Sequence, residues 1–193
     1  MKKLNILIVV MLSFLAMGSL SSQAISIAGQ LGWSVPGGSG VSDEAEDLNL
    51  DGGLTLGFDA IYHFSDNLGV GIVLNRSALA GAGGGDVDLF GLRIFGLKGH
   101  FRLKDEGFTP YAALTLGLAQ LNTPEYTINN TVVEEQTGNG FGIMPEVGLQ
   151  FGGVFIGAQY MVPVKYTIEE AFIDDKALGL LNINIGYRYF FNI

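Results

Sequence analysis

Few side chains in this sequence are of types that do chemistry. There are two histidines, His63 and His100, and no cysteine. Four charged residues stand out because each interrupts a segment of apolar and small residues: Asp59, Lys98, Glu146 and Arg188. Asp59 lies six residues before Ser65, Lys98 six before Lys104, Glu146 six before Gly152, and Arg188 five before the last residue, while Gln159 lies six after Gly153. If those turn-forming positions share one rim of a sheet, two carboxylates and two cations sit at a similar height. An isolated charge removed from water costs several kcal/mol, whereas opposite charges buried together offset one another. The expectation is an interior ion-pair network of Asp59, Lys98, Glu146 and Arg188 that plugs a closed structure and sets its register. The alternative is scattered pairing with water.

Other chemistry finds little support. Without cysteine there is no disulfide framework, lipid-modified cysteine or thiolate metal site. The stretch DEAED, 43–47, lacks the alternating ligands and central glycine of a calcium loop. GAGGGD, 81–86, is followed by neither a helical pattern nor a lysine, so it reads as a loop rather than a phosphate cradle. No catalytic residue, cofactor site or metal site is expected.

The elements that must position the four charges follow from patterning. Residues 1–24, with Lys2, Lys3, an apolar run and Ser22-Gln23-Ala24, have the three-part form of a secretory signal peptide, leaving 25–193 as one exported domain. The chain carries a net charge of −9, which excludes nucleic acid as a partner because phosphate binding needs clustered Lys and Arg. Of 193 residues, 48% are hydrophobic and 29 are Gly, yet beyond residue 24 no segment reaches the run of about 20 apolar residues that a spanning helix needs. An apolar exported chain without such a helix can still cross a membrane by closing a β-barrel.

Eight alternating segments follow: 25–35, 53–64, 68–78, 87–103, 109–121, 140–151, 154–166 and the terminal strand to 193. One face of each is greasy, as in Leu54, Leu56, Phe58 and Ala60. The other is polar or small, as in Gly53, Thr55, Gly57 and Asp59. The fourth is irregular, since Phe90, Leu92 and Ile94 share one parity while Leu97, Phe101 and Leu103 share the other. A bulge near Phe95-Gly96 would bring both sets to the lipid face. Short links at 65–67, 104–108 and 152–153 alternate with longer polar links at 36–52, 79–86, 122–139 and 167–178, and an even strand count returns both termini to the short-turn rim. A soluble β-sandwich also alternates, but its polar face would meet water. Gly, Ala, Ser and Thr suit a narrow interior better.

This pattern, with Tyr187, Tyr189 and Phe191 alternating in the final strand, resembles the small eight-stranded outer-membrane proteins, similar to the transmembrane domain of outer-membrane protein A and to outer-membrane protein X. The resemblance implies an all-β, eight-stranded antiparallel up-and-down transmembrane β-barrel, porin-like in class, in the outer membrane of a Gram-negative envelope. It also implies that Tyr187, Tyr189, Phe191 and Ile193 form a terminal signal read by the barrel-assembly machinery, although Ile193 replaces the usual final aromatic. Expected partners are outer-membrane lipid and lipopolysaccharide around a monomer, with divalent cations or surface ligands at the acidic loops. Some barrels of this kind modify lipid with a His, a Ser and a carboxylate near the outer leaflet. Here both histidines, with Ser65 and Asp66 beside His63, fall near the short turns instead. The function expected is a structural or surface-interaction role, with a narrow pore or carrier as the alternative and a lipid-modifying enzyme disfavoured.

Overall fold

The computed structural model describes residues 24–37, 50–83, 86–103, 107–123, 126–128, 131–133, 136–167 and 179–192. It contains ten strands: β1 (Ala24–Gly37), β2 (Leu50–His63), β3 (Leu68–Gly83), β4 (Asp86–Arg102), β5 (Phe108–Thr123), β6 (Tyr126–Ile128), β7 (Thr131–Val133), β8 (Gln136–Phe151), β9 (Val154–Thr167) and β10 (Gly179–Asn192). Eight of them close a barrel in the order β1-β10-β9-β8-β5-β4-β3-β2, every neighbouring pair antiparallel. The two short strands, β6 and β7, pair separately as a hairpin within the link that joins β5 to β8.

Closure is made by the terminal strand. The β1–β10 ladder runs from Ala24 opposite Asn192 to Gly37 opposite Gly179, so neither strand is left with an unpaired edge. Successive side chains of a strand point to opposite faces, and the strands follow that period outside two register shifts, in β2 and β9. Ile27, Leu31 and Trp33 of β1 face outward and are about half exposed, while Ser26, Ala28, Gln30 and Ser34 are buried inside. The same division runs through Leu54, Leu56 and Phe58 against Thr55 and Asp59 in β2, and through Ile183, Ile185, Tyr187 and Tyr189 against Asn182, Asn184 and Arg188 in β10. A continuous apolar surface of this extent is foreign to proteins that face water on all sides and matches one that faces lipid.

The short turns are built for tightness. Gly152 and Gly153 join β8 to β9, with Phe151 paired to Val154 across the loop, and Gly152 has φ +56°, which a glycine adopts without steric penalty. Gly107, just before β5, has φ +75°.

Three expectations are corrected. First, β4 has no bulge at Phe95-Gly96: its registers with β3 and β5 run without a break, from Arg93 opposite Arg76 and Gln120 to Lys98 opposite Gly71 and Thr115. Leu92 and Ile94 therefore point inward, 1% and 0% exposed, whereas Arg93, Phe95 and Leu97 point outward. The physical reason is that the interior becomes apolar toward the long-link rim, where Val73, Leu79, Leu92, Ile94, Leu121, Met144, Met161 and Leu180 form one buried cluster. Second, the irregularities lie in β2 and β9 instead: Leu50 pairs with Gly81 but Gly53 with Leu79, and Phe141 pairs with Lys165 but Gly142 with Pro163, so each strand accommodates one extra residue, in β9 beside a proline that lacks an N–H for the ladder. Third, the segments expected to end at 121 and begin at 140 run on, β5 to Thr123 and β8 from Gln136, and the link between them holds β6 and β7.

Candidate functional site: the buried charges of the barrel interior

Asp59 on β2, Lys98 on β4, Glu146 on β8 and Arg188 on β10 all occupy inward positions in the half of the barrel nearer the short turns. Their side chains are 0% to 3% exposed. The Lys98 ammonium sits between two carboxylates, 2.9 Å from Asp59 Oδ2 and 2.7 Å from Glu146 Oε2. Arg188 Nη2 donates to the same Asp59 oxygen at 2.9 Å. The four form a linear chain, Glu146–Lys98–Asp59–Arg188, with two positive and two negative members. Charges alternate along it, so each is compensated by a neighbour in a region that water does not reach.

Neutral groups complete the chain at both ends. Tyr111 Oη donates to Glu146 Oε1 at 2.9 Å. Arg188 Nη1 donates to Ser26 Oγ at 3.1 Å, and Ser26 Oγ lies 2.8 Å from His63 Nε2. The arginine can only donate, so the serine hydroxyl accepts from it, and the direction of the Ser26–His63 bond follows the tautomer of the imidazole. Aromatic rings pack around these bonds. His100 stacks on Tyr111 with centroids 5.3 Å apart, and Phe155 meets Tyr111 edge-on at 6.1 Å, while the Arg188 guanidinium lies 5.6 Å over the Phe155 ring. Arg102 covers Phe190 at 4.9 Å.

Inward glycines make room for these rings. Gly148 and Gly157 are paired across β8 and β9, and a Cβ on either would come within 2.5 Å of the Tyr111 ring or hydroxyl. Tyr111 thus reaches Glu146 only because two adjacent strands present bare backbone beneath it.

A neutral polar layer lies above the charges. Asn75 Nδ2 donates to Gln159 Oε1 at 2.9 Å, Thr55 Oγ1 donates to Asn75 Oδ1 at 3.0 Å, and Ser77 Oγ donates to Thr55 Oγ1 at 3.0 Å. Gln159, expected at the level of the charges, is opposite Glu146 in the ladder but spends its carbonyl oxygen on Asn75. The amide groups of Asn182 and Asn184 are buried and have no protein partner among the described residues.

Ser65 and Asp66, near His63 in sequence, belong to the turn: Ser65 Oγ accepts from Leu68 N at 3.0 Å, and the Asp66 backbone carbonyl accepts from Arg102 Nη2 at 2.9 Å. His63 instead meets Ser26, a residue 37 positions away. Its Nδ1 has no hydrogen-bond partner among the described residues, and Asp59 is held by Lys98 and Arg188. Inward parity marked Ser26 and Tyr111 as interior residues, but nothing in the sequence named their partners. Among the described residues no three His, Asp or Glu side chains are placed around one metal ion. Tyr187, Tyr189 and Phe191 face outward, the last two rings 4.6 Å apart, and Ile193 lies outside the described residues. So do residues 1–23 and the loop acids Asp43, Glu44, Glu46, Asp47, Glu125, Glu134, Glu135, Glu169, Glu170, Asp174 and Asp175.

Solved structures share this closed eight-stranded arrangement over nearly their whole length. Ail, the attachment invasion locus protein of Yersinia pestis, crystallised with the heparin analogue sucrose octasulfate, matches with a TM-score of 0.51 at 18% identity, over 87% of this chain and 99% of that one. The fold is that of a small outer-membrane barrel. Neisserial surface protein A matches with a TM-score of 0.51 at 14% identity, over 86% of this chain and 99% of that one. The outer membrane protein OprG from Pseudomonas aeruginosa matches with a TM-score of 0.52 at 13% identity, over 87% and 96%. No family model and no curated protein sequence matches this barrel.

Proposed function

We propose that the chain is an integral outer-membrane protein, exported by a cleaved signal peptide at 1–24, whose barrel over 25–193 is plugged by its own side chains and serves a structural or surface-interaction role rather than catalysis. One observation carries this reading: the Glu146–Lys98–Asp59–Arg188 chain joins four strands across the interior with its side chains 0% to 3% exposed. Eight strands leave room only for side chains or one small ligand, and here the charges use one another's hydrogen-bonding capacity. The same chain of bonds fixes strand register, because a slip by one residue would turn any of the four charges outward into lipid. The Ser26–His63 pair lies in the same buried cluster and has no carboxylate to orient it, so it reads as part of the plug.

The outward Tyr187, Tyr189 and Phe191 suit a terminal strand read by barrel-assembly machinery, and the apolar band suits a monomer surrounded by lipid and lipopolysaccharide. Loop acids repel one another and keep the long-link rim soluble; divalent cations or surface ligands are the partners they would take. The names of the neighbouring surface and attachment proteins are compatible with a role in surface contact.

A narrow pore or carrier is the competing reading, and the buried, unpartnered amides of Asn182 and Asn184 are its best support. Planar-bilayer conductance decides between them. The plugged barrel gives no discrete openings at low voltage. Steady single-channel steps that vanish in an Asn184→Leu variant would establish the pore. Membrane fractionation followed by electrophoresis of unheated and boiled samples tests the localisation: a heat-dependent mobility shift in the outer-membrane fraction is expected, and absence from that fraction refutes it.

A further inference from the structure

On the outer face of β3 and β4, Arg76 stands directly opposite Arg93 in the ladder, and both side chains are exposed. Opposed residues of an antiparallel pair have Cβ atoms about 5 Å apart, so two guanidinium groups there repel each other. Neither has an ion pair or side-chain hydrogen bond among the described residues. A pair of cations with no partner among the described residues, on a surface otherwise built for lipid, is a ready site for an anion.

Height along the barrel says which anion. Outward positions below the arginines are apolar on both strands: Leu74, Ile72, Val70 and Leu68 on β3, and Phe95, Leu97 and Phe101 on β4. From Leu68 to Arg76 is eight residues, about 26 Å along a strand and about 20 Å along the axis at a tilt of about 40°. The arginines thus mark the upper edge of the apolar band, where an outward Arg costs little, rather than the midplane, where it costs about 2–4 kcal/mol. The ladder continues the same row to polar groups: Arg93 is opposite Gln120, which is opposite Asn139, and Gln120 Nε2 donates to Asn139 Oδ1 at 2.9 Å. Above it, Thr137 Oγ1 donates to Asn122 Oδ1 at 3.3 Å. Across β3, β4, β5 and β8 the surface therefore changes from greasy to hydrogen-bonding along one line.

We infer that Arg76 and Arg93 together bind the headgroup phosphate of an outer-leaflet lipid, the acyl chains lying along Leu74, Phe95, Ile72 and Leu97 below. Two forks of N–H donors match the oxygens of one phosphate, and the phosphate removes the repulsion between them. This rests on the outer-membrane reading proposed above, in the orientation such barrels take, with the short turns periplasmic and the long links outermost. A soluble polyanion would have no use for the apolar column beneath the arginines.

The test uses folded full-length barrel in detergent, with retained lipid counted by native mass spectrometry. Probes are dioleoyl phosphatidic acid and its uncharged counterpart dioleoylglycerol. Wild-type protein should retain phosphatidic acid at least tenfold more than dioleoylglycerol. The double variant Arg76→Ala/Arg93→Ala should lose that preference, Arg76→Lys/Arg93→Lys should keep part of it, and Gln120→Ala should keep most. Equal phosphatidic acid retention by the wild type and the double alanine variant overturns the site, as does complete displacement of the lipid by millimolar inorganic phosphate. The heat-dependent mobility shift confirms folding of each variant. Absence of the wild type from the outer-membrane fraction overturns the membrane reading and the site together, whereas lipid retention indifferent to the arginines overturns the site alone.

Discussion

Replacing Lys98 by Met tests the interior charge chain most directly. The substitution keeps the length of the stem and removes only the ammonium, so packing changes little while the cluster goes from two positive and two negative members to a net charge of −1. Asp59 retains Arg188 at 2.9 Å, but Glu146 is left with the Tyr111 hydroxyl alone. Breaking a buried pair by removing one partner costs about 3–5 kcal/mol, because the surviving charge stays buried without compensation. Adding Glu146→Gln restores neutrality and retains an acceptor for Tyr111. The double variant should therefore recover all but about 1–2 kcal/mol, which makes it about 2–3 kcal/mol more stable than Lys98→Met alone. Urea unfolding in lipid vesicles provides the assay. Trp33, the only tryptophan, is 53% exposed on the outer face of β1 and reports transfer from lipid to water by its fluorescence. A Lys98→Met variant within about 1 kcal/mol of wild type, or a double variant no more stable than the single one, would refute the reasoning.

Tyr111→Phe removes a hydrogen bond to a buried carboxylate and should cost about 1.5–3 kcal/mol in the same unfolding assay. Gly157→Val forces a side chain into the space of the Tyr111 hydroxyl and should destabilise by about 1–3 kcal/mol; combined with Tyr111→Ala, much of that cost should disappear. Ile94→Ala should cost about 2–4 kcal/mol by opening a cavity, at least twice the cost of Leu97→Ala on the lipid face; equal costs would contradict the unbroken register of β4. His63→Ala should leave purified protein without any change in esterase or deacylase turnover, and activity abolished by that substitution would establish an enzyme.

Much of the barrel is legible in the sequence because a side-chain period of two, sustained in eight segments, admits few other folds. The parity of β1, β2, β3, β5, β8 and β10 can be read directly, since each pits aliphatic or aromatic residues against Gly, Ser, Asn or Asp. β4 is misread for a definite reason. Leu92 and Ile94 are chemically indistinguishable from lipid-facing residues, and parity can be assigned from hydrophobicity only where the two environments differ. Toward the long-link rim they do not. Distance from the short turns brings Asp59, Lys98, Glu146 and Arg188 to neighbouring levels, but the spacing contains no information on Ser26, on Tyr111 lying over paired glycines, or on which oxygen Arg188 and Lys98 share. Those depend on strand stagger around a closed ring. The pair Arg76 and Arg93 escapes a sequence reading for the same reason: separated by 17 residues, they become neighbours only through the β3–β4 register.

The position of Arg188 also dictates an order of events. Lys98 and Asp59 are 39 residues apart, and Tyr111 and Glu146 are 35 apart, so both contacts can form within a growing sheet of neighbouring strands. Arg188 is 129 residues from Asp59 and 162 from Ser26, and it arrives on the strand that closes the ring. Contacts of such separation form late, because loop closure must precede them. Until then Asp59 and Glu146 share a single cation, and the open sheet carries an excess negative charge facing what will become its interior. Seam formation and charge neutralisation are therefore one event, with the last strand delivering the second counterion.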